Sequence, residues 1–153
     1  MYGDNGMIPD GEYLIPIGSA DIKRSGKDVT IVSFGKMMKV ALKAAEHLAA
    51  ESIDAEVIDL RSVRPIDYKT VIDSVKKTNR LVIVEESWPL ASIASEITFM
   101  VQKEAFDYLD APIRRVMGGD VPLPYAPTLI EAYLPNPARV IDMVKTVMYH
   151  PAS

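Results

Sequence analysis

Apolar positions along the chain follow two rhythms that alternate. In Asp28 to Phe34, residues Val29, Ile31, Val32 and Phe34 are apolar on both parities, the pattern of a strand buried on both faces. Ala55 to Leu60 and Arg80 to Glu86 repeat it, the latter around Leu81-Val82-Ile83-Val84. Between these runs the spacing becomes helical. Lys36 to Ala50 places Met37, Val40, Ala41, Ala44, Ala45 and Leu48 on one stripe, with Lys39, Lys43 and Glu46 opposite. Asp67 is positioned to cap a helix carrying Tyr68, Val71, Ile72 and Val75, with Lys76 and Lys77 in its last turn. A third helix is predicted from about Leu90 to Ala105. A fourth opens on Asn136-Pro137 and runs through Val140, Ile141, Val144, Val147 and Met148.

Weaker signals fill the remainder. Ala20 to Arg24 reads as a short edge strand, and Ser25-Gly26-Lys27-Asp28 as a turn leading by hairpin into the next strand. Ile113 to Met117 is a short strand whose Arg114 and Arg115 suit a sheet edge. Gly118 to Pro135 is a long proline-rich crossing. Residues 1–18 hold four glycines, two prolines and no sustained period, and read as an extended arm. Strand and helix alternate throughout. The expected architecture is therefore a three-layer α/β/α domain with a mainly parallel sheet and right-handed crossovers.

Composition narrows the function classes. The 153 residues are enough for one domain; 48% are apolar and 25% charged, as in a globular protein. A net charge of −4 gives no electrostatic reason to expect nucleic acid or an anionic membrane as partner. The chain has no cysteine, which removes disulfides, thiolate nucleophiles and cysteine metal sites. No apolar run approaches the roughly 20 residues of a membrane-spanning helix.

In an open parallel sheet, ligands bind beyond the carboxyl ends of the strands. Here those ends are Ser33-Phe34-Gly35, Arg61 to Asp67, Glu85 to Trp88 and Gly118-Gly119-Asp120. None carries GxGxxG or GxxxxGK[ST], and no GxSxG elbow occurs. The first strand also lacks the terminal acids of a phosphoacceptor domain. The two histidines, His47 and His150, fall on different predicted helices, and neither has the neighbours to complete a metal set. Arg61 and Arg64 suit an anion, or else pair with Asp59, Asp67 or the strand-end glutamates. Of Glu85 and Glu86, neighbours on opposite strand faces, one is expected to cap backbone amides or pair with an arginine, the other to be solvated. Trp88-Pro89-Leu90 and Phe106 to Leu109 are either core or contact anchors.

The run Val57-Ile58-Asp59-Leu60-Arg61-Ser62-Val63-Arg64-Pro65-Ile66-Asp67 resembles the IDLRTxxP[LI]D signature of the transketolase C-terminal domain family. Within it the chain is most similar to the beta subunits of thiamine-dependent pyruvate dehydrogenases. Ile15 to Gly18, Asp28 to Val32, Val75 to Val82, Val84-Glu85-Glu86, Tyr108 to Pro112 and Asp120 to Ala126 carry that similarity in order and at normal spacing. Ser87 to Ser92 departs from it by lacking the glycines common after the family's VEE, and the tail from Tyr149 runs slightly long.

The resemblance implies a five-stranded, mostly parallel sheet with one antiparallel edge strand. It divides the chain into a linker arm (1–18) from a preceding pyrimidine-binding domain, the domain itself (19–150) and a tail (151–153). Met1-Tyr2-Gly3 resembles the end of that preceding domain. The resemblance also implies that thiamine diphosphate and magnesium belong to the whole enzyme and not to this fragment, and that no catalytic residue is inherited here. The implied partners are a second beta subunit, the alpha subunit and the subunit-binding domain of the dihydrolipoyl acyltransferase. The last would dock around Phe106, Asp110 and His150, while Arg61, Arg64, Asp67, Glu85 and Glu86 serve the interface loops. The implied compartment is the mitochondrial matrix or the bacterial cytoplasm. Two alternatives stay open: the same role in a branched-chain 2-oxo acid dehydrogenase, and a free-standing anion- or nucleotide-binding domain.

Overall fold

Five strands form one mixed sheet in the order β1-β3-β2-β4-β5: β1 (Asp21–Arg24), β2 (Val29–Ser33), β3 (Ala55–Asp59), β4 (Leu81–Val84) and β5 (Arg114–Val116). The computed structural model describes residues 6–7 and 10–149; Met1-Tyr2-Gly3, His150 and the tail lie outside them. β2 pairs in parallel with β3 on one side (Val29 opposite Ala55) and with β4 on the other (Thr30 opposite Leu81). β4 pairs in parallel with β5. Every residue of β2 and β4 is buried, as expected for strands covered on both faces.

The anticipated hairpin between β1 and β2 does not form. β1 instead runs antiparallel to β3, with Asp21 opposite Asp59 and Ile22 opposite Ile58. Both edges of β2 are taken by parallel neighbours, so β1 pairs on the outer edge of β3. The turn at Gly26 crosses the foot of β3 so closely that a Cβ there would lie 2.3 Å from the Ala55 carbonyl carbon. The Lys27 and Asp28 amides both donate to the Asp54 carbonyl at 3.0 Å.

Helices α1 (Met37–Ala50) and α5 (Pro137–Val147) cover one face of the sheet. Helices α2 (Tyr68–Thr78) and α3 (Ile93–Ala105) cover the other, which completes the three layers. The first core joins Ile31, Val57 and Val82 to Ala41, Leu48, Val140 and Val144. The second joins Val32, Ile58 and Ile83 to Val71, Val75 and Ile97. α3 begins three residues later than its apolar stripe predicts. Ala91 is in the left-handed region (φ 53°), and Ser92 takes the cap, accepting from the Ser95 amide at 3.2 Å. The proline-rich crossing holds a two-turn helix, α4 (Pro127–Tyr133), with proline in its first turn.

A polar seam runs through the second core. The Thr30 hydroxyl meets Ser74 Oγ at 2.6 Å and Thr78 Oγ1 at 2.7 Å, and Thr78 donates on to the Arg80 carbonyl at 3.2 Å. Beside it, Glu56 of β3 is 1% exposed and binds Lys77 Nζ and the Gly26 amide. Burial pushes its carboxyl up, but hydrogen bonds led by that of Lys77 outweigh it and hold the group below its ordinary value. Sequence periodicity gave no sign of this pair, because Glu56 falls inside an apolar run and Lys77 reads as a helix-end cation.

Candidate interaction surfaces

The loop from Arg61 to Asp67 connects β3 to α2 and ties down the end of the N-terminal arm. Arg61 has a left-handed backbone (φ 57°), and its guanidinium reaches Asp21 of β1 at 2.7 Å. Its partner is thus none of the carboxylates named from the sequence, because β1 lies against β3 and brings Asp21 to it. Lys23 and Arg61 together hold the Asp21 carboxyl below its ordinary value. Ser62 Oγ accepts from the Gly18 amide at 2.9 Å and donates to the Pro65 carbonyl at 2.8 Å. Gly18 has φ +79°, and a Cβ there would lie 2.7 Å from the Pro65 ring, so only glycine fits.

Asp67 has two tasks. It caps α2, accepting from the Thr70 amide at 3.1 Å, and its other oxygen accepts from the Ala20 amide at 3.0 Å. Burial pushes its carboxyl up, and these bonds more than reverse the effect. Arg64 is exposed and borders a groove of about 770 Å³ with Val63, Tyr68, Ile93 and Glu96. Burial and the bond to Glu96 (3.1 Å) raise the Tyr68 phenol.

The paired glutamates, which follow the end of β4, differ in burial. Glu85 is buried and takes the Ala94 amide at 2.9 Å and the Ser87 hydroxyl at 2.7 Å, which satisfies the first turn of α3. Glu86 is exposed and lines a hollow of about 360 Å³ with Lys36, Trp88, Leu123, Tyr133 and Leu134. A second hollow, about 420 Å³, shares Trp88 and adds Leu90, Val121 and Pro122. Trp88 and Leu90 are therefore not core. They are 54% and 77% exposed, and Val121 and Leu123, which share those hollows, show similar exposure. Tyr125 is almost fully exposed. This surface lies beyond the carboxyl ends of β2 and β4, where the strand order reverses.

A second aromatic face lies at the opposite ends of β4 and β5. Phe106, Tyr108 and Tyr149 are each about half exposed or more. The turn that carries Phe106 and Tyr108 is stapled to the end of α2. Asn79 Nδ2 donates to the Tyr108 carbonyl (2.7 Å), the Asp110 amide donates to the Asn79 carbonyl (2.9 Å), and the Lys76 ammonium stands 5.3 Å over the Tyr108 ring. Asp110 is half exposed and faces Arg80 at 3.3 Å; Arg80 also donates to the Val147 carbonyl at the end of α5. The Tyr149 hydroxyl donates to the Asp110 carbonyl. His150, assigned to this face from the sequence, lies outside the described residues.

The profile described as "Transketolase, C-terminal domain" matches residues 18–140. The pyruvate dehydrogenase E1 component subunit beta of Rhizobium meliloti is 53% identical over 150 residues, covering 97% of this chain and 33% of that protein. The mitochondrial subunit beta of Dictyostelium discoideum is 51% identical, covering 90% of this chain and 39% of its own length. The beta subunit of an acetoin:2,6-dichlorophenolindophenol oxidoreductase from Bacillus subtilis is 42% identical, covering 99% and 44%. Among solved structures, one titled "Split gene transketolase, inactive beta4 tetramer" superposes with a TM-score of 0.78 at 30% identity, covering 94% of this chain and 45% of that one. The chain spans between a third and a half of these relatives.

Proposed function

This chain belongs to the transketolase C-terminal domain family, and from that premise we propose that it is the assembly domain of a pyruvate dehydrogenase E1 beta subunit. The observation that carries the reading is 53% identity over 150 residues to such a subunit, against 42% for the acetoin enzyme. In the whole enzyme, beta and alpha subunits together decarboxylate pyruvate oxidatively and acetylate the lipoyl group of the acyltransferase. Thiamine diphosphate, with magnesium, supplies the electron sink for that chemistry.

The described residues do not fit the cofactor. A diphosphate is commonly held by backbone amides that a glycine-rich loop presents at a helix N-terminus. Here β2 is followed by the single Gly35, and α1 opens on Lys36 without a side-chain cap. The strand-end carboxylate Glu85 is already committed to Ala94 and Ser87. We therefore assign this domain no catalytic step. Its part is to join subunits, in the mitochondrial matrix or the bacterial cytoplasm. The exposed aromatic surfaces support that role, since contiguous apolar patches mark contact sites. The beta4 assembly named for the split-gene transketolase supports self-association. The Arg61–Asp67 loop and Glu85 hold the interface elements in place, and Arg64 and Glu86 face outward from them.

The acyltransferase's subunit-binding domain docks on the Phe106–Asp110 face, where Phe106 gives apolar contact and Asp110 receives a basic residue. Capture of that domain on the immobilised chain tests this. The wild type should bind, and Asp110→Arg should lower affinity at least about tenfold, as expected for a charge-assisted contact. Asp110→Asn, which does not set a cation against Arg80, should also weaken binding. No capture by the wild type removes the docking assignment; equal capture by all three removes Asp110 from it.

A further inference from the structure

The turn Phe106–Tyr108 carries the docking face, yet none of its three residues is buried. A segment with so little in the core is ordered by polar bonds, or else only when a partner arrives. We propose that the end of α2 presets this turn for its partner, with Asn79 as the positioning residue. The inference rests on the docking reading and adds what fixes the geometry of that site.

Asn79 stands just past the last turn of α2 in the left-handed region (φ 61°, ψ 5°), and its amide donates to the Val75 carbonyl at 2.7 Å. Glycine is the ordinary residue there, with asparagine second, because a left-handed backbone crowds a Cβ. Ending the helix therefore does not require the asparagine side chain. That side chain is used elsewhere: Nδ2 donates to the Tyr108 carbonyl at 2.7 Å, across 29 positions. The Asn79 carbonyl accepts from the Asp110 amide at 2.9 Å. One residue thus holds the chain on both sides of Leu109, whose own amide closes onto the Phe106 carbonyl at 3.0 Å. Phe106 and Asp110, the two side chains assigned to meet the partner, are set in one frame.

The neighbours of Asn79 act on the same segment. Lys76 stands over the Tyr108 ring, and Arg80 reaches the Asp110 carboxylate at 3.3 Å. Between them Thr78 is buried and bonded to Thr30 of β2. The clasp is anchored in the core although the turn it holds is not. A turn ordered before contact spares binding the cost of ordering it, and affinity rises accordingly.

Two variants separate this role from a general effect on the fold. Asn79→Gly keeps the left-handed backbone and both main-chain bonds and removes only the Nδ2 donor. Asn79→Asp keeps the size of the side chain but sets a carboxylate oxygen against the Tyr108 carbonyl. The test is calorimetric titration of the acyltransferase's subunit-binding domain into each chain, beside urea denaturation and hydrogen exchange of the Leu109 and Asp110 amides. Asn79→Gly should lower affinity about three- to tenfold, the worth of one hydrogen bond. Its two amides should exchange faster, while the urea midpoint stays near that of the wild type because glycine suits the left-handed backbone. Asn79→Asp should bind more weakly still. A wild type that binds and an Asn79→Gly that binds equally well would overturn the clasp and leave the docking reading standing. So would an aspartate variant that binds like the wild type, or an affinity lost only together with the urea midpoint. A wild type that does not bind removes both.

Discussion

Lys77 is half exposed, yet it neutralises a carboxylate that is 1% exposed, and its removal should cost more than a surface charge normally does. In Lys77→Met the aliphatic stem is kept and only the ammonium is lost. Glu56 then keeps the Gly26 amide at 3.3 Å but stands beside an apolar sheet without its counter-charge. Breaking a fully buried pair costs about 3–5 kcal/mol. Solvent at the half-exposed lysine reduces that to about 1–3 kcal/mol at pH 7. For a domain of this size the melting temperature should fall by roughly 2–4 °C per kcal/mol.

The pH dependence is the sharper test. In the wild type the Glu56 carboxyl lies below its ordinary value of 4.5. Its ionised form therefore stabilises the fold above that value, and the contribution is lost as pH falls through the folded-state value. Without Lys77, burial acts with less opposition and raises the carboxyl, so ionisation works against the fold as pH rises. The gap between variant and wild type should be widest near neutrality and close once pH has fallen through the lowered wild-type value, where both carboxyls are protonated. Urea denaturation at several pH values measures it. A gap that stays constant with pH would refute the electrostatic account and leave only packing.

Two further outcomes can be checked by the same denaturation assay. Asp67→Ala removes the cap of α2 and the acceptor of the Ala20 amide, and should cost about 1–3 kcal/mol above pH 5. Because the wild-type carboxyl is held low, its contribution is complete above the ordinary value of 3.8 and fades as pH falls through its lowered one. An unchanged midpoint at neutral pH would exclude the double tether. Gly118→Ala should cost about 1–3 kcal/mol, because its Cβ would lie 2.6 Å from the Glu86 carbonyl oxygen and 2.7 Å from the Tyr133 ring. Restored stability in a Gly118→Ala/Tyr133→Leu double variant would identify the ring as the obstruction.

The surfaces divide the labour of the domain in a simple way. The strand-end glutamate and the β3–α2 loop commit their polar groups to the fold itself, through Ala94, Gly18, Ala20 and Asp21. Apolar side chains are left outward on both ends of β4.

Local pattern was sufficient for much of this. Val29 to Val32, Val57-Ile58 and Leu81 to Val84 announce buried strands because apolar residues fall on both parities. Asp67 and Asn136 announce helix starts because capping needs only residues within three positions. The four main helices, the parallel sheet and the edge position of β5 follow from such short-range chemistry. Pairings between distant segments do not. β1 pairs with β3 and not with β2 because both edges of β2 are held by β3 and β4, and that pairing brings Asp21 to Arg61. Glu56 met Lys77 across 21 positions, a contact that no periodicity encodes. Trp88 and Leu90 read as core or as contact anchors, core being the commoner place for such residues, since hydrophobicity alone does not place a side chain inside the fold. Only the packing of the loop beyond β4 left them outside.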